Sequence, residues 1–321
     1  MAVAPTAPSQ PIDPGRARLQ AWYRAARPRT LTATYVPLAL SGVIALGDGN
    51  LNLLNLLRFI LALIGALSLQ IAANLINEYV DFARGSDAKK EAGQGMILKN
   101  AVLTPRAVRD GAIITVAIGV VIGLLLTALS GPLLLWIGLG GVLVVILYTA
   151  GPLPLSYVGL GELAVFIFMG PLMVLGGYYA TTGQISLQAV WAALPIAFLC
   201  AAILHANNVR DLEADRAANK RTLAVLLGRG FARAEYLFLI GAAYVALIAT
   251  VAVGQVPWLT LLALVTLREA RVLVQLTFQR EDVPTLHAVQ GRTARLHRDF
   301  GTAMVIGWLV FLAFQFLLRM L

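Results

Sequence analysis

The sequence predicts an all-α, polytopic membrane protein with nine transmembrane helices around a central cavity that opens to the cytoplasmic face. Composition is the first reason: 59% of the 321 residues are hydrophobic and 13% are charged, whereas soluble domains have about 45–50% apolar and about 25% charged residues. The second reason is that the apolar residues lie in runs, and several reach the roughly 20 residues that a helix needs to cross a bilayer. The third is the distribution of the basic residues.

Nine apolar runs are interpreted as membrane spans. They cover residues 30–47, 56–80, 111–129, 132–149, 161–180, 188–209, 235–253, 257–278 and 300–319. Turn signals such as "GDGN", "GPLP" and "GQVP" separate neighbouring runs. The eighth run is the most interrupted, since it contains Arg268, Glu269 and Arg271.

The basic residues orient these spans. With the N-terminus inside the cell, and with basic residues near the ends of the spans counted with the adjoining loop, all of the 25 Lys and Arg residues except Arg58 and Arg319 fall on the inner side. Cytoplasmic loops carry such an excess, so we expect a multi-pass protein of the cell's inner (plasma) membrane with a cytoplasmic N-terminus. The net charge of +9 then reflects topology, and we expect the lipid bilayer, not nucleic acid, as a partner.

The chain is predicted to contain one folded domain. Residues 1–20 are rich in Pro and Ala and lack the apolar core of a signal peptide, so we expect a disordered arm there and a single transmembrane domain over residues 21–321. The single cysteine, Cys200, excludes a disulfide within the chain and is expected to be inert packing.

The second span ends in a polar stretch, residues 74–87, which reads "NLINEYVDFARGSD". Asn74, Asn77 and Asp81 are spaced i, i+3, i+7 and therefore share one helix face. Glu78 lies beside that face, and Asp87 follows in the loop. We expect this face to line the inner end of the cavity.

The sixth span ends with similar spacing, in "HANNVRDLEADRAANKRTLA". Asn207, Asp211 and Asp215 form an i, i+4, i+8 row, and Asn208 lies one step round the helix. Both stretches close a span on the same side of the membrane. If spans 2 and 6 face one cavity, at least three carboxylates converge there.

Converging carboxylates repel one another and are stable when protonated or bound to cations. Mg²⁺ is usually held by one or two carboxylates together with phosphate oxygens and water, so the pattern indicates a site for a diphosphate carried on Mg²⁺. Basic neighbours fit an anionic ligand: they are Arg84, Lys89, Lys90, Arg210, Lys220 and Arg221. The competing interpretation is that Asp and Asn simply end the helices as solvated interfacial residues, and two equivalent motifs favour a functional site instead.

The two motifs resemble those of the UbiA superfamily of intramembrane prenyltransferases. "NEYVD" resembles the first aspartate-rich motif, and "RDLEAD" resembles the second. Further stretches, "AARPRTL", "YTAGPLPLSYVGLGELAVFIFMGP" and "NNVRDLEADRAANKRTLAVLLG", are similar to the 1,4-dihydroxy-2-naphthoate polyprenyltransferase branch of menaquinone synthesis. The resemblance covers residues 22–320.

The resemblance implies a horseshoe of helices and a Mg²⁺-dependent reaction. A polyprenyl group would pass from polyprenyl diphosphate to 1,4-dihydroxy-2-naphthoate with loss of the carboxyl group, giving demethylmenaquinone. Asn77, Asp81, Asp211 and Asp215 would be the metal ligands and catalytic residues. The substrate-binding set would be Arg84, Asp87, Lys89, Tyr148, Asn208, Arg210, Lys220 and Arg221. Glu78 stands where many members have Asp, and Ser156 where some relatives have a basic residue.

Alternative interpretations remain open at several positions. Tyr148 is either an interfacial anchor or a pocket wall, and Arg27 is either a positive-inside residue or a contact to a headgroup or diphosphate. His205 either packs or hydrogen-bonds within the protein or touches substrate, and Glu162 is either a first-turn acid or matches an acid in the family. A sister enzyme acting on another aromatic, a chlorin, haem or a glyceryl lipid is the main functional alternative. A transporter is a distant one, because its charges would lie nearer mid-span.

Overall fold

The computed structural model describes residues 14–50, 52–85, 96–100, 102–151 and 154–321. Every regular element within these ranges is helical, as predicted. The α-helices are α1 Pro14–Ala25, α2 Thr32–Gly47, α3 Leu53–Ala83, α4 Pro105–Ser130, α5 Leu133–Leu147, α6 Gly161–Met169, α7 Pro171–Thr182, α8 Leu187–Arg210, α9 Leu212–Ala217, α10 Leu223–Ala252, α11 Leu267–Gln279 and α12 Val283–Met320. Short 3₁₀ helices cover Pro28–Thr30, Leu155–Tyr157 and Trp258–Thr266.

Side-chain caps fix where the long helices begin. Asn52 accepts the backbone N–H of Asn55 at the start of α3, and Thr104 accepts that of Ala107 at the start of α4. Thr222 caps α10 in the same way. Each cap satisfies one of the N–H groups that the first helical turn leaves without an intrahelical partner.

Six of the described helical segments are long and apolar enough to cross a membrane, or seven if α1 and α2, bent by 56°, form one span. The fifth predicted span combines α6 and α7, which are separated by Gly170. The fourth corresponds to α5, an apolar helix of only 15 residues. The eighth predicted span divides into the 3₁₀ helix Trp258–Thr266 and α11. Length and composition therefore support fewer spans than the nine that the sequence predicts.

Helix α8 lies at the centre of the bundle. Small and aliphatic residues on almost every side of it are buried, among them Ala193, Ile196, Ala197 and Leu199. It packs against α6, α7, α10 and α12, while α3 packs against α4, and α2 against α7 and α12. This arrangement carries the polar C-terminal end of α8 into the interior.

Helix α1 begins within the stretch that was expected to form the N-terminal arm. Residues 1–13 lie outside the described residues, but α1 begins at Pro14. Proline suits the first turn of a helix, and α1 then buries Ala21 and Ala25 in a small core with Leu75 of α3. Packing against α3 therefore stabilises a helix that composition alone did not predict.

Candidate functional site

A cavity of about 530 Å³ lies between helices α3 to α8. Apolar side chains and glycines of α3, α4, α5 and α7 form most of its wall. Polar side chains gather where α3 and α8 end and α6 begins. They include Arg27, Asn74, Asn77, Glu78, Asp81, Tyr148, Ser156, Glu162, Asn207, Asn208, Arg210, Asp211, Lys220 and Gln290. The cavity is thus polar at one end and apolar along the rest of its length.

The first acidic motif reaches the cavity on the predicted helix face. Asn77 and Asp81 both line it, and Asp81 is only 2% exposed. The Asn77 amide donates to Thr149 Oγ1 at 3.2 Å, and the hydroxyl of Tyr157 donates to Asp81 Oδ1 at 3.3 Å. Asn74 instead donates to the backbone carbonyl of Ala26 at 2.9 Å, so it holds the entry to α2 in place.

The second motif does not lie on one continuous helix, because α8 ends at Arg210 and α9 begins at Leu212. Asn207, Asp211 and Asp215 nevertheless remain one helical turn apart, as predicted. The N–H of Asp211 donates to the carbonyl of Asn207 at 3.0 Å, and that of Asp215 donates to the carbonyl of Asp211 at 2.7 Å. Asp211 lines the cavity, and Asp215 lies buried one turn further on.

Basic side chains compensate the charges of the second motif. Arg210 donates from Nε and Nη2 to the two oxygens of Asp211 at 2.7 and 2.6 Å, the paired geometry that a guanidinium favours with a carboxylate. It also donates to Asn207 Oδ1 at 2.6 Å. Lys220 Nζ lies 3.7 Å from Asp215 Oδ1. Buried carboxylates are costly without such partners.

Tyr157 joins the two motifs, and sequence reasoning missed it. Its hydroxyl bonds Asp81, while Arg84 and Lys220 lie over its ring, 4.8 and 5.4 Å from the centroid. Its backbone carbonyl accepts the N–H of Arg221 at 3.1 Å. The signal was present in the stretch "LPLSYVGLGE", where an aromatic residue sits between turn residues beside the "YTAG" segment.

The remaining predicted substrate-binding residues are distributed unevenly. Tyr148, Asn208, Arg210 and Lys220 line the cavity. Arg84 is exposed and donates to the carbonyl of Gly151 at 3.2 Å. The side chain of Arg221 is exposed and outside the cavity wall. Asp87, Lys89 and Lys90 lie outside the described residues.

Glu78 has a structural partner set that the sequence did not reveal. Its carboxylate is fully buried and accepts the backbone N–H groups of Met96, Ile97 and Leu98 at 3.1, 2.5 and 3.2 Å. Arg27 Nη2 donates to it at 3.3 Å. A carboxylate has about four lone-pair sites, so these donors leave little capacity for a metal ion. The charge of Glu78 holds residues 96–98 against α3.

Within the described residues, one group of three potential metal ligands has its ligand atoms within 4.8 Å of one another: Glu162, His205 and Glu235. Asp81, Asp211 and Asp215 do not meet that criterion. Of the predicted ligands, Asn77, Asp81 and Asp211 line the polar end of the cavity and Asp215 lies outside its wall, so they do not form a compact triad. Carboxylates in such an arrangement suit ions whose shells are completed by phosphate oxygens.

These features, an apolar membrane cavity that ends between two buried Asn/Asp motifs, correspond to a known family. The model of the UbiA prenyltransferase family matches residues 35–284. The chain belongs to the UbiA prenyltransferase family. The resemblance inferred from the two acidic motifs is thereby confirmed, and so is the prediction of a prenyltransferase as opposed to a transporter.

Two bacterial relatives cover nearly the whole chain. The 1,4-dihydroxy-2-naphthoate octaprenyltransferase of Bacillus subtilis is 34% identical over 292 residues, covering 91% of this chain and 93% of the relative. The protein of the same name from Mycobacterium tuberculosis is 35% identical over 295 residues, covering 89% and 93%. The sequence similarity thus extends over both motifs and most of the helices between them.

Solved structures share the fold. A UbiA homologue from Aeropyrum pernix K1 in its apo form superposes with a TM-score of 0.63 at 17% identity, covering 86% of this chain and 97% of that chain. A UbiA homologue from Archaeoglobus fulgidus bound to GPP and Mg²⁺ gives 0.52 at 17% identity, covering 89% and 99%. The helical arrangement of this chain is therefore that of the family.

Proposed function

We propose that this UbiA family member transfers a polyprenyl group from polyprenyl diphosphate to 1,4-dihydroxy-2-naphthoate, with Mg²⁺ and with loss of the carboxyl group, to give demethylmenaquinone. The observation that carries this proposal is one cavity with buried acids at its polar end and apolar walls beyond them, in a chain whose full-length relatives bear that enzyme's name. The shape suits a ligand with an anionic head and a long hydrocarbon tail.

The apolar part of the cavity would receive the prenyl chain. Gly123, Gly138 and Gly141 lie in its wall, where a Cβ added to each glycine would meet no neighbouring atom within 4 Å. Burying hydrocarbon there is favourable by about 25 cal/mol per Å² removed from water. The same walls keep water from the reacting carbon once the C–O bond weakens.

The polar end fits a divalent cation. Asp81, Asp211 and Asp215 are at most 5% exposed, and carboxylate and amide oxygens are the ligands that Mg²⁺ prefers. We propose that these three residues, with Asn77, hold Mg²⁺ against the diphosphate. When bound, the metal would neutralise the charge of the departing diphosphate and so stabilise the leaving group.

Arg210 and Lys220 would exchange partners when the diphosphate binds. In the structure they neutralise Asp211 and Asp215, and both line the cavity. Cations brought in with the ligand would take over that neutralisation, which would release the two basic side chains to bind phosphate oxygens. Tyr157 contacts both Asp81 and Lys220 and would hold the two acidic motifs at a fixed distance from each other. On the family resemblance, Asp87, Lys89 and Arg221 are proposed as further contacts to the substrate.

The distribution of basic residues predicts how the protein is oriented in the membrane. We propose nine spans in a domain over residues 21–321, with the N-terminus and the polar end of the cavity facing the cytoplasm of the inner (plasma) membrane. A diphosphate headgroup would then reach the site from the cytoplasmic interface, while its tail stays in the apolar bundle.

The proposal is tested by an assay of the purified protein in detergent. Polyprenyl diphosphate, 1,4-dihydroxy-2-naphthoate and Mg²⁺ should yield a prenylated, decarboxylated product by mass spectrometry, and EDTA should abolish it. Asp81→Asn and Asp211→Asn should each lower turnover at least about 100-fold, since metal stabilisation of a leaving group contributes several kcal/mol.

The matched control is Glu213→Gln, which removes a carboxylate from the same stretch. Glu213 is exposed and, among the described residues, pairs with Arg216 and Arg229, so its loss should leave turnover unchanged. If the protein prenylates another acceptor but not the naphthoate, the proposed diphosphate site is supported and the proposed acceptor is wrong. Full activity of both aspartate variants would refute the metal assignment.

A further inference from the structure

A second group of titratable side chains adjoins the cavity, beyond the aspartates. His205 of α8 lies between Glu162 of α6 and Glu235 of α10, with Nδ1 at 3.0 Å from Glu162 Oε1 and 3.5 Å from Glu235 Oε2. Its Nε2 lies 2.7 Å from the carbonyl oxygen of Ala232. The Asn208 amide donates to Glu162 Oε1 at 2.8 Å.

This geometry fixes where the protons lie. A carbonyl oxygen only accepts, so Nε2 of His205 must carry a hydrogen. Nδ1 then faces two carboxylates, and a bare nitrogen lone pair would repel both. A further proton must therefore lie between Nδ1 and one of the carboxylates. The three side chains of Glu162, His205 and Glu235 together hold a proton that can move among them.

This proton lies beside the space that a substrate would occupy. Glu162 and Asn208 both line the cavity, while His205 is fully buried behind them. Tyr148 also lines the cavity, and its hydroxyl lies close to Gly161, the residue before Glu162. Glu162 is thus the member of the group that can touch a bound ligand.

A metal ion is a poorer occupant of this group. The Asn208 amide presents its hydrogen atoms to Glu162 Oε1, and Nε2 of His205 is engaged with a backbone carbonyl. A cation bound to Nδ1 of His205 and to Glu162 Oε1 would lie close to the amide hydrogens of Asn208, which bond the same oxygen. The positive end of that amide dipole would repel the cation. A shared proton joins Nδ1 to Glu162 Oε1 without that repulsion. Glu235 Oε2, which has no other hydrogen-bond partner among the described residues, is a second acceptor for the same proton.

We propose that Glu162 is a catalytic acid–base residue that takes a hydroxyl proton from the aromatic acceptor and later returns it, with His205 and Glu235 positioning and stabilising the charge. The inference rests on the proposed function, since it requires a hydroxylated aromatic acceptor in the cavity. A general base is effective when it lies within hydrogen-bond reach of the proton that it removes, and a carboxylate in the cavity wall meets that condition.

The steps balance without an added reactant. As the hydroxyl O–H bond breaks, its proton goes to Glu162 and its electrons reach the ring carbon that carries the carboxylate. That carbon bonds the prenyl carbon, whose C–O bond breaks with its electron pair leaving on diphosphate. The resulting β-keto carboxylate loses CO₂, the C–C electrons restore the aromatic ring, and the ketone oxygen takes the proton back from Glu162. The reaction neither consumes nor releases a proton.

Kinetics of Glu162→Gln test this role. The variant should lose about 100-fold or more in kcat, the usual contribution of general base catalysis, while KM for the prenyl diphosphate stays near the wild-type value. Its activity should rise with pH as the acceptor hydroxyl ionises unaided, whereas the wild type should respond less. Glu162→Asp should restore part of the rate. Glu281→Gln, an exposed acid paired with Arg233, is the matched control and should behave as wild type.

Histidine NMR provides a readout independent of turnover. The chain has only three histidines, so His205→Gln assigns the signal of His205 in ¹⁵N-histidine-labelled protein. Its titration should move by about one pH unit or more in both Glu162→Gln and Glu235→Gln, because each removes a neighbouring negative charge. Glu281→Gln should leave it in place.

The outcomes separate the two proposals. A wild-type protein that alkylates no hydroxylated aromatic overturns the proposed function, and the acid–base role with it. An active wild type whose Glu162→Gln variant keeps its rate and pH profile overturns the role of Glu162 alone. A His205 titration that ignores both glutamates, in an active enzyme, overturns the shared proton. Loss of kcat with pH rescue and coupled titration establishes the inference.

Discussion

At the scale of single residues, two glutamates near one cavity have different tasks because their partners differ. Glu78 lies within the first acidic motif, yet three backbone amides and Arg27 occupy its carboxylate. Glu162 lies outside both motifs, yet it lies 3.0 Å from Nδ1 of His205, with which it would share a proton in the proposed reaction. Residue type and motif position did not distinguish these roles, whereas the donors around each carboxylate do.

Glu78 should stabilise the folded protein through the buried backbone donors that bond its carboxylate. Glu78→Gln would turn an NH₂ group toward donors that now face an oxygen, and Glu78→Asp would shorten the reach by one methylene. Either change should lower the free energy of unfolding by about 2–3 kcal/mol, the cost of buried donors that lose a charged acceptor. Thermal unfolding in detergent, followed by the fluorescence of the five tryptophans, measures this as a lower Tm.

The Mg²⁺ concentration that activity requires distinguishes a structural role of Glu78 from a role as a metal ligand. If Glu78 serves residues 96–98 and not the metal, the remaining activity of Glu78→Gln should require the same Mg²⁺ concentration as the wild type. Glu213→Gln again serves as the control, since exposed ion pairs contribute about 0–1 kcal/mol. A wild-type Tm combined with a much higher Mg²⁺ requirement would assign Glu78 to the metal instead.

At the scale of elements, the break between α6 and α7 places the start of α6 at the site. Gly170 separates the two helices and lies against α8, where an added Cβ would collide with Ala197 and with the carbonyl of Phe166. The missing side chain lets the broken helix pair approach α8, which carries His205 and Asn208. The contact between Glu162 and these residues depends on that approach.

Gly170→Ala tests this packing. The collision involves backbone atoms, so the structure cannot relieve it by rotating a side chain, and overpacking of this kind costs about 1–3 kcal/mol. We expect a Tm several degrees lower and a reduced kcat, because the distance between Glu162 and His205 would change. Gly241→Ala in α10, where an added Cβ meets no neighbouring atom within 4 Å, should leave both quantities nearly unchanged. Equal behaviour of the two variants would show that the close approach at Gly170 is not required.

The elements also show which parts of the site the sequence could predict. Helical spacing placed Asn77 and Asp81 on one face, because the period of an α-helix is fixed. The end of α8 at Arg210 agrees with the predicted sixth span, residues 188–209, but the separate helix α9 that begins at Leu212 was not predicted. The i, i+4 pattern continues through the break of one residue and so does not reveal it. The contacts of Glu78 with residues 96–98, and of His205 with Glu162 and Glu235, depend on how distant segments pack, and a local pattern carries no such information.

At the scale of the whole molecule, the topology depends on the segment over residues 257–279. It begins as the 3₁₀ helix Trp258–Thr266 and continues as α11, whose charges include Glu269, paired with Arg292 of α12. If the segment crosses the membrane, the basic residues that follow it lie on the cytoplasmic side, as the positive-inside rule requires. If it does not cross, they lie outside.

Two engineered cysteines decide between these topologies. Gln184, between α7 and α8, and Glu281, between α11 and α12, are both exposed, and the native Cys200 is buried, so it gives little background. With nine spans the two positions lie on opposite faces: an impermeant maleimide should label Gln184→Cys in intact spheroplasts and Glu281→Cys only in inverted vesicles. Labelling of both from outside would mean that residues 257–279 turn back without crossing, and would place Arg292, Arg295 and Arg298 on the outer face against the charge bias. Since that bias concerns nearly every Lys and Arg of the chain, we expect the opposite-face result.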